Sequence, residues 1–171
     1  MSTETISSGS DTASDQPFRY VRRCVLVILR VHLGVILLIT VVGKMFRPEP
    51  FSVEMLNYLQ GFSMRNAPGF YQSFLQQVVI PQAKLFSYLI MTGEAIAGIF
   101  LLLGLFTRVG ALIAMFLFLN YMFSKGRYFW SPDSEDAAVF FSALVCFLGA
   151  AGRVYGLDSY FARRRPETWI W

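Results

Sequence analysis

Three ionisable residues, Arg30, His32 and Glu94, stand within long apolar runs of the sequence. Inside a bilayer such a side chain is costly unless it is paired or hydrated, and it commonly marks a substrate or proton pathway. We expect Arg30 and Glu94 to meet if their helices are neighbours in a bundle. Glu94 and Arg30 are then candidate catalytic groups of a polar pocket or proton route. The alternatives are a purely structural pair that sets helix register, or a protonated, hydrogen-bonded Glu94.

Three polar residues are candidates for binding a ligand such as a quinone: His32, Lys44 and Asn120. His32 lies about 200° around a helix from Arg30, so the two cannot share one face. It either donates to a quinone carbonyl or satisfies a contact within the bundle. Lys44 ends the first apolar run, where its long stem can reach the headgroups. Asn120 lies beside Tyr121 toward the outer end of a later run, which fits an outer pocket or an interfacial position.

Bound metals and resident redox cofactors are not predicted. No second His or Cys stands at ligand spacing from His32. Cys24 and Cys146 lie inside apolar runs and form no CxxC pair, which favours buried small hydrophobes. The sequence has no CxxCH motif for haem, no Gly-rich phosphate loop and no Cys cluster for iron–sulfur. This limits the chemistry that the chain performs alone.

Long apolar runs must position these residues, because 55% of the chain is hydrophobic and only 15% is charged. A membrane span needs roughly 20 apolar residues. The runs predict spans at about 23–43, 85–106, 109–123 and 137–151. We therefore expect an all-α fold, an integral membrane four-helix bundle over residues 21–165. A disordered cytoplasmic tail, 1–20, precedes it and a C-terminal tail, 166–171, follows it.

The longest loop, residues 47–82, contains two segments with helical spacing of apolar residues. One runs from Phe51 to Phe62 and the other from Phe70 to Val78, with prolines between and around them. This pattern predicts two short amphipathic helices that lie on or dip into the outer membrane face.

The basic residues are grouped at span ends, so the net charge of +4 is read as a topology signal and not as a sign of nucleic-acid binding. Eight arginines flank the spans on one side, in short segments, whereas six basic residues on the other side are accompanied by five carboxylates. The positive-inside rule then predicts that both termini are cytoplasmic.

Taken together, these landmarks resemble the DoxX/DoxD-like family of small four-helix membrane proteins. The resemblance is carried by four groups in order, with the N-terminal tail and the 47–82 loop outside them. The groups are Arg30 with Gly34 and Gly43-Lys44, Gly93-Glu94 with Gly98, Leu103–Arg108, and Gly152–Asp158.

The resemblance implies a multi-pass subunit of a bacterial or archaeal inner membrane. The family includes the DoxD subunit of thiosulfate:quinone oxidoreductase and DoxX proteins linked to redox-stress complexes. It therefore implies quinone-linked redox chemistry, no covalently bound cofactor, and protein partners or a homo-oligomer beside the lipid. Its characteristic positions would be Arg30, Lys44, Glu94 and Arg108. The alternative is a non-enzymatic subunit that anchors or assembles a larger complex.

The Gly152–Asp158 motif also has a structural interpretation. Gly156 is expected to adopt the left-handed conformation that ends the fourth span. Asp158 is then expected to cap a short interfacial helix, 159–164, and Arg153 to pair with Asp158.

Overall fold

The computed structural model describes residues 16–164 together with Thr168 and Ile170, and side chains from Tyr20 onward. The predicted tails, 1–20 and 166–171, lie largely outside these residues, although the first helix already begins at Gln16. The described part forms eight α-helices: α1 Gln16–Met45, α2 Phe51–Tyr58, α3 Met64–Asn66, α4 Gly69–Phe74, α5 Ala83–Leu103, α6 Thr107–Ser124, α7 Glu135–Leu148 and α8 Asp158–Arg164. Two π-helical turns, Leu59–Ser63 and Leu75–Val79, and a 3₁₀ turn, Ala151–Arg153, complete these elements.

Three of the described helices are long and apolar enough to cross a membrane. They are residues Tyr20–Met45 of α1, the whole of α5 and the whole of α6. Helices of spanning length are thus confirmed at three of the four predicted positions. Helix α7 has 14 residues, which at about 1.5 Å per residue is shorter than the ~30 Å of bilayer hydrocarbon. The fourth crossing therefore stays a prediction.

A tight hairpin joins α5 to α6. Gly104 adopts a left-handed conformation with φ of 67°. The Leu105 N–H then donates to the Phe100 carbonyl at 3.0 Å, which closes the last turn of α5. Phe106 is also left-handed, and α6 begins directly after it at Thr107. The predicted spans misplaced this turn by a few residues because the apolar sequence continues through it without a break.

Helices α1 and α5 pack closely through glycine. A Cβ atom on Gly34 would lie 2.7 Å from the Leu102 backbone nitrogen and 3.0 Å from the Gly98 carbonyl oxygen. Such contacts are shorter than real Cβ contacts, so only glycine lets the two backbones approach this closely. This contact sets how far α1 is shifted along α5.

The centre of the bundle is an apolar layer to which α1, α5, α6 and α7 all contribute. Its side chains are at most 1% exposed. The layer consists of Leu33, Leu37, Ala97, Leu101, Ala111, Ala114, Ala143 and Cys146. Cys146 is therefore the buried small hydrophobe that was predicted, whereas Cys24 is only partly buried, so the prediction is wrong for Cys24.

Residues 51–79 form a helical cap over one end of the bundle. Its inner side chains build a second apolar cluster with Ala83 of α5, made of Met55, Leu59, Ala67, Tyr71, Leu75 and Val79. Its outer surface exposes large apolar residues, including Phe62 and Phe70. The two predicted amphipathic segments are thus helical, with α2 and α4 at their starts. The place of the cap relative to lipid stays a prediction.

Candidate functional site

A buried ion pair with a tyrosine partner lies between α1, α5 and α6. The Lys44 Nζ atom donates to both carboxylate oxygens of Glu94, at 2.7 Å and 2.6 Å. The Tyr121 hydroxyl donates to Glu94 Oε1 at 2.6 Å. The ammonium group of Lys44 also lies over the Phe51 ring, 4.7 Å from its centre. Because Glu94 is only 2% exposed, its charge is neutralised by Lys44 and its hydrogen bonds come from its neighbours instead of water.

Close packing at glycine residues places Lys44, Glu94 and Tyr121 at the same depth along the axis of the bundle. The Gly34–Gly98 contact fixes α1 against α5, and Gly110 of α6 lies so close to α5 that a Cβ there would be 2.8 Å from the Phe100 Cβ. Lys44, at the last turn of α1, therefore faces the middle of α5. The expected snorkelling of Lys44 to the headgroups is wrong, since its ammonium group is held in the bundle by Glu94.

A cavity of about 560 Å³ adjoins this cluster. Lys44 and Tyr121 line it, whereas Glu94 lies behind them, and most of the remaining wall is apolar. The wall comes from α5, α6 and the cap, with members such as Ile90, Leu117 and Leu75. The arrangement is an apolar chamber with one compact polar end.

Asn120 lines the same cavity, and its amide is fixed in place. The Tyr71 hydroxyl of the cap donates to Asn120 Oδ1 at 3.0 Å, and Asn120 Nδ2 donates to the Phe116 carbonyl at 2.7 Å. Burial raises the pKa of Tyr71 to about 12, so the hydroxyl stays protonated as a donor further into the alkaline range than an ordinary tyrosine does. Asn120 thus joins the cap to α6 at the cavity wall.

Part of the cavity rim lies on the outer surface of the helices. Leu89 of α5 and Phe116 of α6 both line the cavity, and they are 55% and 66% exposed. Phe74 of the cap is a further exposed member of the wall. Both helices are long and apolar enough to cross a membrane, so these exposed wall residues lie on helix surfaces of the kind that contact lipid.

Comparison with known protein families shows to which family the chain belongs. A family model described as DoxX matches residues 25–125, more than half of the sequence. The chain belongs to the DoxX family. Comparisons with curated proteins and with solved structures gave no match. The DoxX match includes the ion pair and the cavity and runs through the cap, which the sequence landmarks had left out, but it ends before Gly152.

Arg30 of this DoxX chain does not meet Glu94, so the predicted pairing is wrong. Its guanidinium donates to the carbonyls of Ala151 and Val154, at 2.9 Å and 3.2 Å, on the far side of the apolar layer. Arg30 and Lys44 are 14 positions apart on α1, or about 21 Å at about 1.5 Å per residue. Arg30 is 3% exposed, and these contacts give it a structural part at the opposite end of the bundle.

The C-terminal motif of the DoxX chain closes this second polar cluster. The Asp158 carboxylate accepts the backbone N–H groups of Phe106 and Thr107, at 2.7 Å and 2.9 Å. It therefore caps the start of α6, a partner that the sequence had not suggested. The Asp158 N–H donates to the Gly104 carbonyl at 2.8 Å, which joins the motif to the α5–α6 turn.

The left-handed residues after α7 are Ala150 and Tyr155, and Gly156 is not among them. The expected left-handed cap at Gly156 is therefore wrong. Gly156 instead lies where a Cβ would contact the Arg30 guanidinium and the Gly152 carbonyl. Glycine is needed at this position because these groups lie too close to its Cα to leave room for a side chain.

His32 lies on the exposed outer face of α1, away from the cavity wall. The structure thus brings Lys44, Glu94 and Asn120 together and leaves Arg30 and His32 elsewhere. The hydrogen bond from Tyr121 to Glu94 was not predicted. The position of Tyr121 along its helix could be read from the sequence, but its partner on another helix could not. The sequence did contain one indication that Arg30 and Glu94 do not pair. If Gly34 faces Gly98 in an antiparallel helix pair, Arg30 and Glu94 are about 12 Å apart along the helix axis.

Proposed function

We propose that this protein binds a membrane quinone in the cavity and acts as the membrane subunit of a quinone-linked redox system. The observation that carries the proposal is the apolar chamber of about 560 Å³ whose polar end is built by Lys44, Glu94 and Tyr121. Ligand sites commonly combine an apolar wall with a few convergent polar groups in this way. The resemblance to quinone-linked DoxD proteins is consistent with it.

The charges at the polar end favour an uncharged head group. Lys44 and Glu94 neutralise one another, so an anionic head would meet Glu94 as well as Lys44. An ammonium group has three N–H donors, and two are directed at Glu94. The third can donate to a carbonyl oxygen, as a quinone presents.

The lipid-facing opening indicates where such a ligand comes from. Leu89 and Phe116 line the cavity and are also exposed on the surface of α5 and α6, which would face the membrane. A molecule dissolved in the bilayer can reach the polar end through this gap without crossing water. A long isoprenoid tail would remain in the lipid while the ring enters the chamber.

The roles of the residues follow from their positions. Lys44 would donate to the quinone, and Asn120 would contact the ring from the α6 side. Glu94 would act as a positioning residue, since it holds both Lys44 and Tyr121 from behind. During reduction to a quinol, electrons from a partner redox subunit and protons delivered at the polar end would arrive together.

The test is binding of decylubiquinone to the full-length protein in lipid nanodiscs. Lys44→Met alone leaves a buried carboxylate without its cation, which can unfold the protein. The double variant Lys44→Met/Glu94→Gln removes both charges and keeps the volume. We expect it to bind decylubiquinone at least about tenfold more weakly, because a hydrogen bond from a charged donor is worth about 1.5–3 kcal/mol and about 1.4 kcal/mol is tenfold.

The matched control is His32→Leu, which changes a polar residue of α1 outside the cavity and should bind as the wild type does. Unchanged affinity in a folded double variant would refute the quinone site. Turnover of quinol with Glu94→Gln measures the redox part separately.

A second candidate function is a non-enzymatic anchor for a partner chain. It is favoured by large exposed apolar side chains on the cap, such as Phe62 and Phe70, and by the exposed Phe46 directly after α1. An anchor predicts that partner chains are recovered in mild detergent and that recovery fails with Phe70→Ser. It also predicts that recovery persists in the Lys44→Met/Glu94→Gln variant.

We further propose that α7 completes a fourth crossing, with both termini cytoplasmic, in the inner membrane of a bacterium or archaeon. Helix α7 packs along α6 and α1. The polar loop before it begins at the cap end, where Lys125 pairs with Asp136 at 2.7 Å. The motif after it reaches Arg30 at the other end, which supports a path for α7 and its flanking segments along the bundle.

A further inference from the structure

The cavity reaches the water-exposed surface at the cap end. Glu54 of α2 and Lys125, directly after α6, both belong to its wall. Glu54 pairs with Arg47 and Lys125 pairs with Asp136, and the two side chains are 42% and 40% exposed. Charged groups with such exposure require an aqueous or headgroup environment. The same chamber that ends at Lys44 therefore begins beside charged side chains that are partly exposed, although the Oε2 atom of Glu54 is itself buried.

The opposite direction is closed. Between Lys44 and Arg30 on α1 lie Leu33 and Leu37 of the apolar layer, with exposures of 1% and 0%. The layer continues on α5 between Glu94 and Gly104, on α6 between Thr107 and Tyr121, and on α7. Within the described residues, every one of these helices thus places fully buried apolar side chains between the two polar clusters.

From this asymmetry we propose that water reaches the Lys44–Glu94–Tyr121 cluster from the cap face of the membrane and not from the opposite face. Water enters at the cap end, past Glu54 and Lys125, and reaches the ion pair along that side, while the side toward Leu89 and Phe116 is left to lipid or a ligand. This cap-side path is an aqueous half-channel that ends at the buried ion pair. Protons gained or lost at this cluster, whatever the ligand, then exchange with the cap face only. The inference does not depend on the ligand being a quinone.

The groups along this path belong to every element around the cluster. They are Lys44 of α1, Glu54 and Tyr58 of α2, Tyr71 of α4, Glu94 of α5, Tyr121 of α6, and Lys125 with its partner Asp136 of α7. All of them lie on the cap side of the apolar layer. The titratable groups Arg30 and Asp158 lie on the other side of it.

The test is labelling of single cysteines by the membrane-impermeant cationic reagent MTSET in sealed vesicles of each orientation. The background is full-length protein with Cys24→Ala and Cys146→Ala. Leu117→Cys and Ala114→Cys form a matched pair, because both side chains are buried on α6 one turn apart. Leu117 lines the cavity, whereas Ala114 belongs to the apolar layer. Ser124→Cys, a nearly isosteric change in the cavity wall, is a second probe.

We expect Leu117→Cys and Ser124→Cys to be labelled when the reagent is on the cap face and not when it is on the opposite face. We expect no labelling of Ala114→Cys from either face. Trp130→Cys, in the exposed loop after α6, identifies the cap face. Labelling of Leu117→Cys from both faces, or of Ala114→Cys from the Arg30 end, would overturn the half-channel. Labelling of Ser124→Cys without labelling of Leu117→Cys would also overturn the half-channel, because water would then reach only the cap end of the cavity.

Discussion

The carboxylate of Glu94 accepts three hydrogen bonds, two from Lys44 and one from Tyr121, while it is almost fully buried. A buried charge without such partners is strongly destabilising. The same partners that make the charge tolerable also face the cavity. The atoms that stabilise the buried charge are therefore also those proposed to contact a ligand, which is why the double variant is a cleaner probe than either single change.

Asp158 carries a prediction at the same scale. Asp158→Ala should lower the free energy of unfolding by about 2 kcal/mol or more, because the buried Thr107 N–H and the partly buried Phe106 N–H at the start of α6 lose a charged acceptor. Asp158→Asn should cost less, since one side-chain oxygen remains. The measurement is reversible unfolding in mixed SDS micelles. Glu49→Ala, in an exposed turn, is the control, and equal stability of Asp158→Ala and wild type would exclude the cap.

At the scale of elements, the site depends on how α1 is shifted along α5. Gly34 and Gly98 fix that shift through backbone contact, and Lys44 lies ten residues further along α1. The ion pair is thus a consequence of glycine packing nearer the centre of the bundle. The α5–α6 turn and the Gly152–Asp158 motif fasten the other end.

Substitution of these glycines should show this dependence. Gly34→Ala should destabilise the protein by about 1–3 kcal/mol, the usual range for overpacking, because its Cβ would lie 2.7 Å from a backbone nitrogen. Gly98→Ala should cost less, since its nearest neighbour at 2.9 Å is the Leu38 side chain, which can move. Gly43→Ala has no atom within 4 Å of the new Cβ and should be neutral.

The measurement is again SDS unfolding, with decylubiquinone binding as a second readout. If Gly34→Ala were as stable as Gly43→Ala, the close packing of α1 on α5 would be wrong.

At the scale of the whole molecule, two polar clusters lie on opposite sides of one apolar layer. One is the Lys44–Glu94 cluster beneath the cap, and the other joins Arg30 to Asp158 and the hairpin. The first adjoins a cavity, whereas the second binds backbone groups of the protein itself. The proposed ligand chemistry therefore belongs to one end of the bundle, and the contacts that join α1, the α5–α6 turn and the C-terminal motif belong to the other.

The proposed four crossings give a prediction for this arrangement. In the cysteine-free background, Tyr20→Cys and Tyr155→Cys should be labelled by an impermeant thiol reagent from one face, and Trp130→Cys from the other. All three side chains are well exposed, so accessibility does not limit the reaction. Labelling of Tyr155→Cys from the same face as Trp130→Cys would show that α7 does not cross.

Much of this protein followed from sequence alone, because hydrophobicity and helical spacing are local properties. The apolar runs predicted α1, α5 and α6, and the loop pattern predicted helical segments in the cap. The unusual polar residues Lys44, Glu94 and Asn120 were recognisable as a candidate site, since polar groups are rare in such runs.

Only the tertiary structure decided which of these residues meet. The sequence analysis paired Arg30 with Glu94, whereas the structure pairs Lys44 with it, because the pairing depends on an axial shift between two helices that no single helix encodes. The cavity likewise exists only where α5, α6 and the cap enclose it. Helix formation is set by neighbours along the chain, whereas an ion pair across a bundle is set by side-chain packing between distant segments.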